Sequence, residues 1–236
     1  MYRLSEKGER IREMFDSIAP RYDFLNRLLS FGVDRRWRRF AVGQIRYAEN
    51  GRVLDVATGT GDVALEIAAR TPDTVSIVGI DFSREMVELG REKIARSTFS
   101  RRITLEVASC ESIPFGDESF DSVTIAFGIR NVVDRLLGLK EMHRVLKRGG
   151  RAVVLEFSTP RSKLFKAIYC FYFLRVLPVI GGLFSKFRAY KYLPDSVMEF
   201  PSRDEFKRLM SAAGFGNPKH FDLTFGIATV YVGEKA

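Results

Sequence analysis

Along residues 5 to 47 apolar side chains recur at helical spacing. Ile11, Met14/Phe15 and Ile18 share one face, and Trp37, Phe40/Ala41 and Ile45 share another. Pro20 sits where a second helix can begin, running through Tyr22, Leu25 and Leu28/Leu29. At Arg52 the pattern changes to short apolar runs separated by amphipathic segments. Strands are predicted over 52–57, 75–81, 103–107, 122–127 and 152–157, with helices over 62–70, 84–95 and 134–146 between them. Lys147-Arg-Gly-Gly150 is expected to end the last of these helices. A helix from Arg203 to Ala213 and two apolar strands, the second ending in Thr229-Val-Tyr-Val-Gly233, follow further on. Such alternation implies an α/β fold with a doubly wound, mostly parallel sheet and helices on both faces. Ligand sites in that architecture form at the carboxyl ends of the strands, near the switch point beside the first.

The length of 236 residues suits one domain carrying an insertion. The divisions are an N-terminal helical cap (1–47), a core (48–158), an insert (159–200) and a C-terminal helix with the last two strands (201–236). A 46% apolar composition is that of an ordinary globular chain. Cys110 and Cys170 cannot build a disulfide framework, and no Cys/His cluster has metal-ligand spacing, so no metal is expected. The first nine residues hold no apolar run, so no signal peptide is expected and a cytoplasmic location is the default.

Charge changes the picture in one place. The formal net charge is +9, and Phe157 to Pro194 contributes seven bases (Arg161, Lys163, Lys166, Arg175, Lys186, Arg188, Lys191) and no acid. Ten of the 29 aromatic residues lie in the same stretch. Its longest apolar run, Ala167 to Leu174, is cut by Arg175 and Pro178, too short to span a bilayer but suited to lying on one. A basic, aromatic segment of this kind fits an anionic bilayer surface or a nucleic acid.

The candidate chemistry begins at Gly59-Thr60-Gly61-Asp62-Val-Ala64, which matches the G-x-G-x-x-G/A fingerprint, with Asp81 following 20 residues beyond Gly61. Spacing alone would admit a dinucleotide. Asp55 at the end of the first strand and Asp62 at the start of the next helix weigh against it, since a pyrophosphate there would meet two carboxylates. A donor without phosphates and with two cationic centres, such as S-adenosylmethionine (SAM), would suit them, with Asp81 accepting from ribose hydroxyls and Phe82 beside it. The plain alternative is that Asp62 caps a helix and the glycines turn the chain. Ser109-Cys110 follows the third strand and would flank adenine; Cys110 reads as a packing residue, having no histidine near it.

After the fourth strand comes Ala126-Phe-Gly-Ile-Arg-Asn131. The Asn/Asp-Pro-Pro-aromatic turn of amino-group methyltransferases acting on nucleobases is absent, which favours methylation at carbon or oxygen. Arg130 and Asn131 would stand beside the transferred methyl as a permanent cation and an amide donor. Arg130 would stabilise an oxyanion, with Asn131 and Tyr22 positioning the acceptor; alternatively Arg130 pairs with an acid and braces the sheet. Asp23 reads equally as a base or a hydrogen-bond acceptor, and His143 as structural.

These residues carry a resemblance. Tyr22-Asp-Phe-Leu-Asn26 with Ser30-Phe-Gly32 and Arg36-Trp-Arg38, Phe127-Gly-Ile-Arg-Asn-Val132, and Arg144-Val-Leu-Lys-Arg-Gly-Gly150 with Glu156-Phe-Ser158 resemble the signatures of the UbiE/MenG quinone C-methyltransferases. Leu25 stands for the usual Met, Arg148 for the usual Pro, and Ser109-Cys110 for Asn/Asp-Ala. The resemblance implies a class I SAM-methyltransferase fold: a Rossmann-like seven-stranded sheet with N-terminal helices and a helical lid insert. It also implies that Thr60, Asp81, Ser109-Cys110 and Ala126 line the SAM site. The acceptor would be a polyprenylated quinol, demethylmenaquinol or a benzoquinol counterpart, reached while residues 160–192 dock peripherally on the inner face of the cytoplasmic membrane. The plainer reading of that insert is a protein-packed lid with a solvated edge. No nucleic-acid partner is expected, and a homodimer is left open. Competing readings are a methyltransferase acting on RNA or a small phenol, a non-catalytic SAM- or nucleotide-binding module, and an NAD-linked oxidoreductase.

Overall fold

The computed structural model describes residues 5–23, 27, 30, 32–162 and 187–236, of which 187–191 are described as backbone. Helix α1 (Glu6–Ile18) starts at Ser5, whose hydroxyl accepts from the Gly8 N–H, with Glu6 and Glu9 in its positively polarised first turn. Pro20 lies in a 3-10 turn, Ala19–Arg21, and Tyr22, Asp23 and Arg27 beyond it are helical, as the pattern predicts; Leu25, Asn26 and Leu28/Leu29 lie outside the described residues. Helix α2 (Asp34–Val42) follows.

The core alternates β1 (Arg52–Val56), α3 (Asp62–Ala68), β2 (Ser76–Asp81), α4 (Arg84–Ala95), β3 (Ile103–Val107), β4 (Phe120–Ala126), α5 (Arg135–Val145) and β5 (Leu146–Phe157). Then come α6 (Phe187–Met198), α7 (Arg203–Ala212), β6 (Gly216–Leu223) and β7 (Ala228–Glu234). The sheet order is β3-β2-β1-β4-β5-β7-β6. The first five strands pair in parallel, while β7 runs antiparallel between β5 and β6. The switch in strand order therefore falls between β1 and β4.

Because successive strand residues point to opposite faces, each face acquires its own apolar layer. Leu54, Val56, Ile80, Phe120, Met142 and Phe206 pack on one side. Val53, Ile67, Val87, Ile94 and Leu105 pack on the other. Trp37 brings α2 onto Val153, Leu155 and Val230, and its indole N–H donates to the Thr224 hydroxyl at 2.8 Å.

Two elements differ from the pattern along the chain. Strand β5 starts six residues earlier than residue 152, because Leu146 pairs with Phe120 before the register slips and Arg151 pairs with Ser122. The slip is made by Lys147–Gly150, where Gly149 adopts φ 73° and donates to the Lys235 carbonyl, so this segment bulges a strand as well as ending α5. Strand β6 is not an apolar strand: it is an edge, mostly solvent-exposed, and holds Pro218 where a missing N–H is tolerated. Residues 163–186, the bulk of the basic insert, lie outside the described residues. Among the described residues no helix is long and apolar enough to cross a membrane.

Candidate active site

A cleft opens at the carboxyl ends of β1, β2 and β4. Its floor is Ala57 and Gly59 after β1, Asp81 and Phe82 at β2, and Ala126, Phe127 and Gly128 at the end of β4. Ala108, Ser109, Cys110 and Glu111 form one wall, and Asn131, Val132 and Val133 another. Gly8, Phe15 and Tyr22 bring the N-terminal segment over it, with the Phe15 ring edge-on to both Tyr22 and Phe82.

The backbone here is strained on purpose-built terms: Ala57 and Phe127, each immediately after a central strand, hold φ of 51° and 56°. Such conformations persist only where surrounding structure over-determines them. Gly128 lets the two turns meet, since a Cβ at this position would lie 2.5 Å from the Ala57 Cβ. Gly128→Ala is expected to destabilise the fold by about 1–3 kcal/mol through this overpacking, read as a lower urea midpoint. An unchanged midpoint would contradict the close approach.

Asp81, the last residue of β2, accepts from the Gly59 N–H at 2.8 Å and the Ser83 N–H at 2.9 Å. Burial pushes its carboxyl up to about 6, and the nearby Asp16 carboxylate pushes the same way. Asp16 itself takes a hydrogen bond from the Ser83 hydroxyl, joining α1 to the start of α4. Glu111 is buried in the opposite wall and accepts from the Asp134 N–H at 2.8 Å. Among the described lining residues these two carboxylates, Asp81 and Glu111, are the charged groups, and no lysine, arginine or histidine joins them.

Of the residues singled out along the chain, Tyr22, Gly59, Asp81, Phe82, Ser109, Cys110, Ala126 and Asn131 come together around the cleft. Asp55, Thr60, Gly61, Asp62 and Arg130 do not line it. Asp55 is inside the sheet, one residue short of the end of β1, where its two carboxyl oxygens accept from Thr58 at 2.6 Å and Thr124 at 2.7 Å. Asp62 sits in a largely buried ion cluster: Lys93 reaches it at 2.6 Å and Arg38 at 3.1 Å. Burial works against the charge on Asp62, yet Arg38 and Lys93 outweigh it and hold the carboxyl below its ordinary range. Thr60 donates to Asp23 at 2.6 Å, and Asp23 also receives the Lys93 ammonium, so Asp23 is tied down rather than poised as a base. Asp55 and Asp62 thus have partners of their own away from the cleft, and the carboxylates that line it are Asp81 and Glu111. Glu111 directly follows Ser109-Cys110, and that adjacency is its signal in the sequence.

Arg130 takes the bracing role. Its guanidinium Nη1 donates to the Glu156 carboxylate at 2.8 Å and to the Phe127 carbonyl, while its backbone N–H meets the other Glu156 oxygen at 3.2 Å. Both side chains are buried, Glu156 completely. This pair ties the strained turn after β4 to β5. Cys110 is a free, buried thiol that burial pushes far up, as befits a packing residue. His143 packs edge-on against Phe215, and burial followed by the Lys235 charge keeps its ring below the usual imidazole range.

The sheet-bound Asp55 carries a pH signature. Burial raises its carboxyl from 3.8 to about 7. A group raised on folding stabilises fully below its unfolded value and loses that contribution as pH climbs through the folded one. Stability should therefore decline between about pH 4 and pH 7 from this source. Asp55→Asn is expected to remove the decline and to be more stable than the parent at pH 7, by on the order of a few kcal/mol. Denaturant melts at several pH values check it, and parallel profiles for the two proteins would refute it.

Comparison with known proteins adds a second kind of observation. The ubiE/COQ5 methyltransferase family model matches residues 3–235. The chain belongs to this family. A relative from Geotalea uraniireducens, the ubiquinone/menaquinone biosynthesis C-methyltransferase UbiE, is 77% identical over 235 residues, covering all of both chains. The demethylmenaquinone methyltransferase of Deinococcus radiodurans is 50% identical, covering 98% of this chain and 94% of its own. A crystal structure of a SAM-dependent methyltransferase from Thermotoga maritima superposes with a TM-score of 0.67 over 95% of this chain and 99% of that one. At 23% identity it establishes the shared fold, a class I methyltransferase sheet. As a ubiE/COQ5 family member, the chain is a methyltransferase.

Proposed function

We propose that this methyltransferase moves the methyl group of SAM to a ring carbon of a polyprenylated quinol, with demethylmenaquinol as the first candidate acceptor. The observation that carries the donor is the cleft's charge: two carboxylates and, among the described lining residues, no cation. A pyrophosphate cofactor needs donors and positive charge; a ligand bearing a sulfonium and an ammonium is attracted by Asp81 and Glu111 instead. The residues fit SAM in kind. Asp81 would hold the ribose hydroxyls, Gly59 gives backbone access, Phe82, Ala108 and Ser109-Cys110 offer an adenine-sized apolar wall, and Glu111 stands where a cation is tolerated.

SAM supplies an electrophilic methyl when bound, and the chain's own groups do the rest. Ring methylation needs the acceptor aligned, and it needs charge held as a quinol hydroxyl ionises. Asn131 and Tyr22 line the cleft and are the positioning groups for that oxygen. Arg130 acts one step back, through the Phe127 carbonyl and Glu156, by fixing the turn from which Asn131 projects. Phe127, Val132 and Val133 keep the acceptor side apolar. The acceptor itself is inferred from the relatives named for ubiquinone and menaquinone biosynthesis.

The basic segment of residues 160–192 is our candidate for peripheral docking on anionic lipid, from its composition of bases and aromatics. Binding to anionic liposomes that persisted unchanged without this stretch would reject that role. For the reaction, incubation with labelled SAM and either demethylmenaquinol or a demethylated benzoquinol, followed by product mass, is the test. Tight uptake of NADH by calorimetry, with no heat from S-adenosylhomocysteine, would defeat the reading. Asn131→Ala is expected to lower kcat about tenfold or more while changing SAM affinity less than twofold. Equal losses in both would contradict a role on the acceptor side.

A further inference from the structure

Resting on the acceptor-side reading above, we infer that Tyr192, on α6 at the end of the basic segment, is a positioning residue that fixes the orientation of the Asn131 amide toward the acceptor. The Tyr192 hydroxyl lies 3.1 Å from the Asn131 Oδ1, and the Asn131 Nδ2 lies 3.4 Å from the Phe127 carbonyl. The chemistry of these partners leaves one consistent assignment. A carbonyl can only accept, so the amide nitrogen must face Phe127. The amide oxygen must then face Tyr192, which has to donate. One N–H of Asn131 remains, and Asn131 lines the cleft. That N–H is available to an acceptor oxygen.

Tyr192 is suited to constant donation. It is half-buried, and burial raises its phenol above the ordinary range even though Arg130 and Arg135 pull it down, with Glu199 and Glu156 opposing them. The phenol stays protonated through neutral pH. A phenylalanine at this position keeps the ring and loses the donor, freeing the amide to rotate. The same arrangement links the acceptor site to the basic insert, because Tyr192 closes that stretch of sequence.

The test is a double-mutant cycle of Tyr192→Phe and Asn131→Ala on the full-length protein. Tyr192→Phe alone should lower kcat about 2- to 10-fold, the worth of one neutral hydrogen bond, with the Kd for S-adenosylhomocysteine unchanged. In the Asn131→Ala background the same change should have no further effect. Equal losses in both backgrounds, or a parallel loss of S-adenosylhomocysteine binding, would overturn the assignment. The hydrogen bond is also read without turnover, from the side-chain amide resonances of Asn131 in ¹⁵N-labelled protein, identified by their loss in Asn131→Ala. They should shift in Tyr192→Phe, and unmoved resonances would overturn the inference. Absence of quinol methylation by the parent protein would instead count against the proposed function, and the resonance result would stand apart from it.

Discussion

Cutting Glu156 back to alanine is expected to lower folding stability by about 3–5 kcal/mol, the usual consequence of leaving a buried charge without its partner. The guanidinium of Arg130 would keep its place among apolar neighbours, with the Phe157 ring 5.5 Å below it, and would lose its counter-charge. In a domain of this size such a loss lowers Tm by roughly 10–15 °C. Arg130→Ala should do comparable damage, because it strips donors from a completely buried carboxylate. The paired replacement Arg130→Met with Glu156→Leu should recover much of the stability, since an apolar pair of similar volume removes both charges together. Turnover should not return with it, because the Phe127 carbonyl has also lost the Arg130 donor and the turn carrying Asn131 is no longer braced. Urea melts and single-turnover rates on the three variants separate bracing from chemistry. A loss below about 1 kcal/mol in both single variants would show that this pair does not hold the turn.

The second large effect is expected at Asp81. Replacing it with asparagine should weaken S-adenosylhomocysteine binding by about 10- to 100-fold, the range for a hydrogen bond to a charged group. The pH profile makes the test sharper. With the carboxyl raised to about 6 by burial and by Asp16, the ionised acceptor prevails above that pH and is lost as pH falls through it. Affinity for the donor should accordingly drop on acidification from pH 7 to pH 5, and this dependence should vanish in Asp81→Asn. Calorimetric titration over that range reads both. An affinity loss with the pH slope retained would show that the titrating group is not Asp81.

How far the sequence foretold this site depends on what each signal reports. The apolar period located β1, β2, α4 and β3 to within a residue or two: β1 and β2 are buried on both faces and admit few polar positions, while the edge strand β3 buries alternate residues and α4 one face. The glycine spacing placed the turn after β1 correctly, since Gly59 and Gly61 hold φ of 55° and 82°. Neither signal states where a carboxylate points. Asp81 is the final residue of β2 and lines the cleft, whereas Asp55 is one residue inside β1 and is held by Thr58 nearby and by Thr124, 69 positions on, which no local pattern couples to it. Asp62 begins a helix, but its charge is spoken for by Lys93, 31 positions later, and by Arg38 from α2. The Arg130–Glu156 pair was open for the same reason: Arg130 stands in the turn after β4 and Glu156 on β5, brought together by a crossover rather than by spacing. Strand β6 went astray because an edge needs little apolar content.

The insertion of β7 between β5 and β6 bears on how the chain must be made. During synthesis β6 leaves the ribosome before the strand that separates it from β5, so neither can settle into its final neighbour relation until β7 is free. Until then β5 presents an open rim bearing Val153 and Leu155, the kind of unpaired apolar border that captures other chains. Stalled or nicked products that stop short of residue 228 would therefore be sticky, and quality control would meet them as aggregation hazards.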